Sequence, residues 1–103
     1  MRVLISGMGG ELGVRLANLV ASSPEVDSVC GLDLDPPRRR FGDVDFHLID
    51  PRDRRAVVEL VRDFDPHVLI HLGVYEPNAR SGPRLAAELN ELGSLHVLGA
   101  ARI

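Results

Sequence analysis

The stretch LISGMGGELG, residues 4–13, decides how the rest of the chain is read. A short apolar run, Arg2 to Ser6, stops at Gly7, and four glycines (Gly7, Gly9, Gly10 and Gly13) then fall within seven positions. Such a run fits a strand buried on both faces. Behind it Leu12, Leu16, Leu19 and Val20 recur at helical spacing over Glu11 to Ala21. That helix has to stop before Ser23-Pro24, because proline disfavours helical backbone in the residue ahead of it. Glycines in a strand-to-helix turn let the chain reverse sharply, remove the Cβ that would obstruct a phosphate, and let helix touch strand. The N–H groups and positive dipole end of the helix then favour an anion. Pyrophosphate fits that description. A P-loop does not, since it requires Gly-Lys-Ser/Thr and all twelve basic residues here are arginine. The plainer alternative is a glycine-rich turn that only joins strand to helix.

The same alternation continues along the chain. Ser28 to Leu32 reads as a second strand, followed by an exposed loop at Asp35-Pro36-Pro37 with Arg38, Arg39 and Arg40 behind it. Phe46 to Ile49 is a third strand. Asp53 to Phe64 is a helix carried by Ala56, Val57, Leu60, Val61 and Phe64, and Asp65-Pro66 ends it. His67 to Leu72 is a fourth strand, Gly73 to Pro83 a loop, and Arg84 to Ile103 a helix with Leu85, Leu89, Leu92, Leu95 and Leu98 on its apolar stripe. Strands alternating with helices predict an α/β fold: a parallel sheet with right-handed crossovers and helices on both faces. Ligands of such sheets bind at the carboxyl ends of the strands, so the loops after each strand are the places to search.

Composition narrows the function classes. A chain of 103 residues with 45% apolar residues, 26% charged residues and a net charge of −3 reads as one ordinary globular domain, not a nucleic-acid binder. No apolar stretch approaches the roughly 20 residues that span a bilayer, and the chain opens on a strand-like run instead of a leader, so the expected compartment is the cytoplasm. Cys30, the single cysteine, sits in an apolar run and reads as an inert buried thiol with no role. His47, His67, His71 and His96 lack metal-ligand spacing and read as structural; no metal is expected.

Asp33 closes the second strand and lies 20 residues after Gly13. An acidic residue near that offset accepts hydrogen bonds from an adenosine ribose, which favours NAD. Its charge opposes the 2′-phosphate of NADP, although Arg38, Arg39 and Arg40 would offset that repulsion if they bind the phosphate instead of lying solvated on the surface.

At this point the residues carry a family likeness. The whole chain resembles the amino-terminal part of the extended short-chain dehydrogenase/reductases, the NAD-dependent epimerases and dehydratases. Their TGxxGxxG motif reads here Ser6-Gly7-Met8-Gly9-Gly10-Glu11-Leu12-Gly13, with serine for threonine. LIDPRD, residues 48–53, is similar to the segment whose aspartate approaches the adenine amino group. VLIHLGV, residues 68–74, resembles VxHLAA after the fourth strand, and NELGSLHVLGAA, residues 90–101, resembles NxxGTxNVLxAA with Ser94 and His96 as departures.

The likeness implies a Rossmann-like NAD(P)-binding domain of about four strands, incomplete, with the catalytic and substrate-binding part absent. It implies Gly7, Gly10 and Gly13 on the pyrophosphate, with Gly9, Glu11 and Leu12 in the same loop. Asp33 would hold the ribose, Asp50 the adenine, Leu72 and Gly73 the middle of the cofactor, and Asn90 a supporting position. Asp50 before Pro51 has a plainer role as a helix cap, and Asn90 as a surface residue. The family's chemistry uses a Tyr-x-x-x-Lys pair in which the lysine lowers the phenol pKa for proton transfer. This chain has no lysine, and its one tyrosine, Tyr75, is followed four residues later by Ala79. Tyr75 and Glu76 read as surface loop. An unpaired fourth strand would invite a second chain, so a homo-oligomer or a carboxyl-terminal remainder is expected to finish the sheet. The functional expectation is the cofactor-binding portion of an epimerase/dehydratase-like oxidoreductase, with a nucleotide-sugar or similar substrate. The alternatives are a non-catalytic dinucleotide-binding or sensing module and a truncated remnant.

Overall fold

The computed structural model describes residues 1–37, 42–75 and 82–101. Seven elements follow one another as β1 (Arg2–Ser6), α1 (Glu11–Ala21), β2 (Ser28–Asp33), β3 (Val44–Leu48), α2 (Arg54–Phe64), β4 (Val68–His71) and α3 (Pro83–Ala100). The strands form one sheet in the order β3-β2-β1-β4. Every pairing is parallel, with Ser6 opposite Leu32 on one side and His71 on the other. The order reverses beside β1, and that reversal opens a crevice at the carboxyl ends of β1 and β4.

Alternation along the strands sends side chains to two separate cores. Leu4, Cys30 and Leu32 pack with Val57 and Val61 of α2 and with Val97 and Ala100 of α3. Val3, Ile5 and Val29 pack with Met8 and with Ala17 of α1 on the opposite face. Helices therefore cover both faces, as the alternating pattern requires. Leu4 and Ile5 are wholly buried, and each contributes about 1.5–3 kcal/mol of hydrophobic stabilisation relative to an exposed side chain. Cys30 is buried as expected, and burial followed by the Asp45 carboxylate pushes its thiol up to about 12.

The boundaries differ from the sequence reading in instructive places. β3 runs Val44–Leu48 instead of Phe46–Ile49, because its ladder with β2 begins at Val44 opposite Val29, across a stretch whose Asp45 masks strand character. Pro83 belongs to α3, where a proline at the first helical turn costs no hydrogen bond. Asp53 precedes α2 and caps it, its side chain accepting from the Ala56 N–H at 3.2 Å. Asp65 ends α2 in the left-handed region at φ 51°. The Arg38, Arg39 and Arg40 triplet, Glu76 and Ile103 lie outside the described residues.

Candidate functional site

The glycine loop is built by contacts no side chain would permit. Gly7 sits at φ +72°, and a Cβ there would lie 2.6 Å from the Leu72 carbonyl group and 2.7 Å from the Gly73 nitrogen. Backbone cannot yield to such a clash, so only glycine fits where the turns after β1 and β4 cross. The Gly7 N–H donates to the Leu32 carbonyl at 2.8 Å, tying the loop to the end of β2 as well. Gly13 is buried in α1, where a Cβ would stand 2.4 Å from the Gly7 carbonyl oxygen and 2.7 Å from Met8 Cα. Its task is to bring helix against loop.

These contacts shape a groove of about 530 Å³ at the carboxyl ends of β1, β2 and β4. Gly7, Gly9, Gly10, Glu11, Asp33, Leu72 and Gly73 line it, so seven of the ten residues singled out from sequence come together. Three do not line it. Gly13 lies in the helix packing, Leu12 is 68% exposed on α1, and Asp50 sits beyond the end of β3. Gly10 stands at the N-cap of α1 and offers no side-chain cap, which leaves the first-turn N–H groups without that kind of partner. Glu11 pairs with Arg15 one turn on, at 3.2 Å.

Asp33 is the buried charge of the site, 4% exposed at the end of β2. Its Oδ2 accepts from the Gly9 N–H at 2.9 Å. Its Oδ1 accepts from the Leu34 N–H at 2.7 Å and from the Tyr75 hydroxyl at 2.8 Å. The surface-loop reading of Tyr75 is therefore corrected: the side chain is half-buried in the groove wall. Burial, and then the Asp33 carboxylate beside it, push the phenol above its ordinary range, so it remains a hydroxyl donor. Asn90 of α3 explains the placement. Its Oδ1 accepts from the Tyr75 N–H at 2.6 Å while its Nδ2 donates to the Tyr75 carbonyl at 2.8 Å. Nothing in the local sequence announces this contact, because Tyr75 and Asp33 stand 42 residues apart.

Asp50 has a different neighbourhood. Arg52 reaches back to it, with Nη2 to Oδ2 at 2.6 Å and Nε to Oδ1 at 3.1 Å, and the guanidinium holds the carboxyl below its usual range. The capping alternative for Asp50 is also corrected, since Asp53 caps α2. Beneath the groove, His71 joins three elements: its Nδ1 meets the Ser6 hydroxyl and its Nε2 lies 2.9 Å from the Ser94 hydroxyl. Burial lowers its pKa, favouring the neutral ring that can donate at one nitrogen and accept at the other. His67 Nδ1 accepts from the Arg2 N–H, and His96 Nδ1 donates to the Pro51 carbonyl; each bond is 2.9 Å.

A 3-2-1-4 parallel sheet with a glycine crevice at the reversal is a dinucleotide-site architecture, and the model of the NAD-dependent epimerase/dehydratase family matches residues 3–103. The chain belongs to the NAD-dependent epimerase/dehydratase family. Within that family it is 31% identical, over 98% of its own length, to an uncharacterized epimerase/dehydratase of Staphylococcus aureus (strain USA300). Among solved structures it is similar to the UDP-glucose 4-epimerase of Thermus thermophilus in complex with NAD, at 31% identity, a TM-score of 0.83 and 99% coverage of this chain. It is also similar to the uronate dehydrogenase of Agrobacterium tumefaciens, at 25% identity, a TM-score of 0.76 and 98% coverage. The chain spans 32% of the Staphylococcus protein, 34% of the epimerase chain and 36% of the dehydrogenase chain.

The groove suits the family's cofactor. It offers glycines beside a helix N-terminus, which favours an anion, and a buried carboxylate that accepts hydrogen bonds. Among the described residues no helix is long and apolar enough to cross a membrane.

Proposed function

We propose that this chain is the NAD-binding portion of an epimerase/dehydratase-like oxidoreductase acting on a nucleotide-sugar or similar polar substrate. One observation carries the reading: a buried carboxylate, Asp33, opens onto the same groove as Gly9, Gly10 and the start of α1. The adenosine ribose would exchange its hydroxyls for the Tyr75 hydroxyl on Asp33 Oδ1, while the Gly9 N–H keeps Oδ2 oriented. The pyrophosphate would lie along Gly7 to Gly10 at the helix end, and Leu72 and Gly73 would border the middle of the cofactor. Asp50, paired with Arg52, would reach the adenine only by giving up that partner.

When bound, NAD supplies hydride transfer. The chain's own residues bind and orient it, with Asn90 fixing the loop that carries Tyr75. A Tyr–Lys proton-transfer pair is not among residues 1–103, which contain no lysine, so we assign proton transfer and substrate recognition to other parts of the protein. The short span relative to the matched relatives supports that division. Completion of the sheet beside β4 by that remainder or by a second copy, and a cytoplasmic location, belong to the same proposal. A second reading, a non-catalytic NAD-sensing module, would use the same groove.

Calorimetric titration with NAD and NADP tests the binding claim. Saturable binding with NAD tighter than NADP is expected, because Asp33 repels a 2′-phosphate. Equal affinities would refute the role of Asp33, and absence of binding by folded protein would refute the proposal. Hydride transfer to NAD from a candidate sugar nucleotide would then decide between the enzyme and the sensor.

A further inference from the structure

On the face of the sheet opposite α1, strand register assembles three side chains that bind transition metals. Cys30 of β2 stands opposite Asp45 of β3. His47 follows two residues later and returns to the same face as Asp45, because successive strand side chains alternate. One ligand atom from each, the Cys30 thiol sulfur, an Asp45 carboxylate oxygen and a His47 ring nitrogen, lies within 4.8 Å of the other two. His47 Nε2 and Asp45 Oδ2 are already 2.9 Å apart. Zinc binds nitrogen, oxygen and sulfur at about 2.0–2.3 Å, which places tetrahedral ligands about 3.2–3.8 Å from one another. A bound ion would require the wider separations to close and the Asp45–His47 pair to open slightly.

We propose that Cys30, Asp45 and His47 form a site for one divalent transition metal of the zinc type, with water in the fourth position. The donor set selects the class of ion. A thiolate and an imidazole suit zinc or cobalt and disfavour magnesium or calcium, which take all-oxygen shells. Thiolate and carboxylate together balance the charge of the ion, and the thiol proton leaves to solvent as the sulfur–metal bond forms. Burial is graded across the set, with Cys30 buried, His47 intermediate and Asp45 exposed, so the ion enters from the Asp45 side and water can reach the remaining position. The site joins β3, the outermost strand on this side, to the buried β2. Its consequence is a metal-dependent gain in stability, independent of the groove.

Titration of the purified protein with Co²⁺ tests the site through its absorption. The expected result is saturation at one equivalent, with a near-ultraviolet thiolate-to-cobalt band and the visible bands of tetrahedral cobalt, all abolished by Zn²⁺. Cys30→Ser should lose the thiolate band. If that variant fails to fold, His47→Gln, at a more accessible position, should weaken Co²⁺ binding at least tenfold and cancel the rise in melting temperature given by Zn²⁺. Absence of a thiolate band at stoichiometric Co²⁺ in the unsubstituted protein would overturn the proposal. So would an unchanged spectrum and affinity in His47→Gln.

Discussion

Asp33 and Asp50 each follow or close a strand, yet the fold treats the two carboxylates in opposite ways. Asp33 is buried and, among the described residues, held only by neutral donors: two backbone N–H groups and a phenol. Asp50 is about one-third exposed and is taken by the Arg52 guanidinium, which also lies 3.6 Å from Glu88. A neutral hydroxyl on a carboxylate is readily exchanged for another hydroxyl, whereas releasing a charged partner costs more. The difference follows from position. Asp33 ends a central strand beside the reversal of strand order, where the loops after β1 and β4 meet, while Asp50 follows the outermost strand β3.

The contrast breaks most completely if the loop beside Asp33 is dismantled. Gly7→Val should destabilise the protein by about 3 kcal/mol or more, because a branched side chain is forced into φ +72° against the Leu72 and Gly73 backbone. A denaturant melt measures it, and a loss below about 1 kcal/mol would contradict the close crossing of the two turns.

A smaller effect belongs to His71, which ties β1 and β4 to α3 through Ser6 and Ser94. Burial lowers its pKa below the ordinary 6.5, so the unfolded chain takes up the proton more readily than the folded one. Its contribution to stability is full above pH 6.5 and is lost as the pH falls through the lowered value. Melts of the unsubstituted protein should fall below that pH more steeply than melts of His71→Gln, and parallel curves would contradict the assignment.

Tyr75→Phe sharpens the comparison from the other side. Removing the hydroxyl that occupies Asp33 Oδ1 should tighten NAD binding by roughly two- to tenfold, the scale of one hydrogen bond no longer displaced. Weaker binding in the variant would make Tyr75 a cofactor contact instead of a competitor.

The least change is expected at Asp50. Asp50→Asn should alter NAD affinity less than twofold and cost about 0–1 kcal/mol, as befits a partly exposed ion pair. The native carboxyl is held low by Arg52, so its contribution exists above the usual carboxylate range and is lost as the pH falls through the lowered pKa. Acid melts should therefore show the variant converging on the unsubstituted protein at low pH. A large drop in NAD affinity would instead place the adenine on Asp50.

What the sequence revealed tracks how local each feature is. Gly7, Gly9, Gly10 and Asp33 were legible because strand, turn and helix follow one another within about 30 residues, as in any βαβ unit. The four strands and three helices were legible from their apolar periods, with errors at ends such as Val44, where edge-strand charges blur the pattern. The Tyr75 contact with Asp33 was not legible, since it depends on Asn90 of α3 holding the backbone of a loop after β4. Nor was the pairing of Asp50 with Arg52, which competes with an adenine role that the segment's likeness alone suggests. The Cys30, Asp45 and His47 cluster needed the β2–β3 register, which no spacing within either strand discloses.

The most direct test of the account is NAD titration of the Asp33→Ala variant beside the unsubstituted protein, with circular dichroism confirming that both are folded. A carboxylate that anchors the ribose contributes about 1.5–3 kcal/mol through charge-assisted hydrogen bonds, so NAD affinity should fall by roughly 10- to 150-fold. Equal NAD affinity in the two proteins would contradict the claim that Asp33 receives the cofactor.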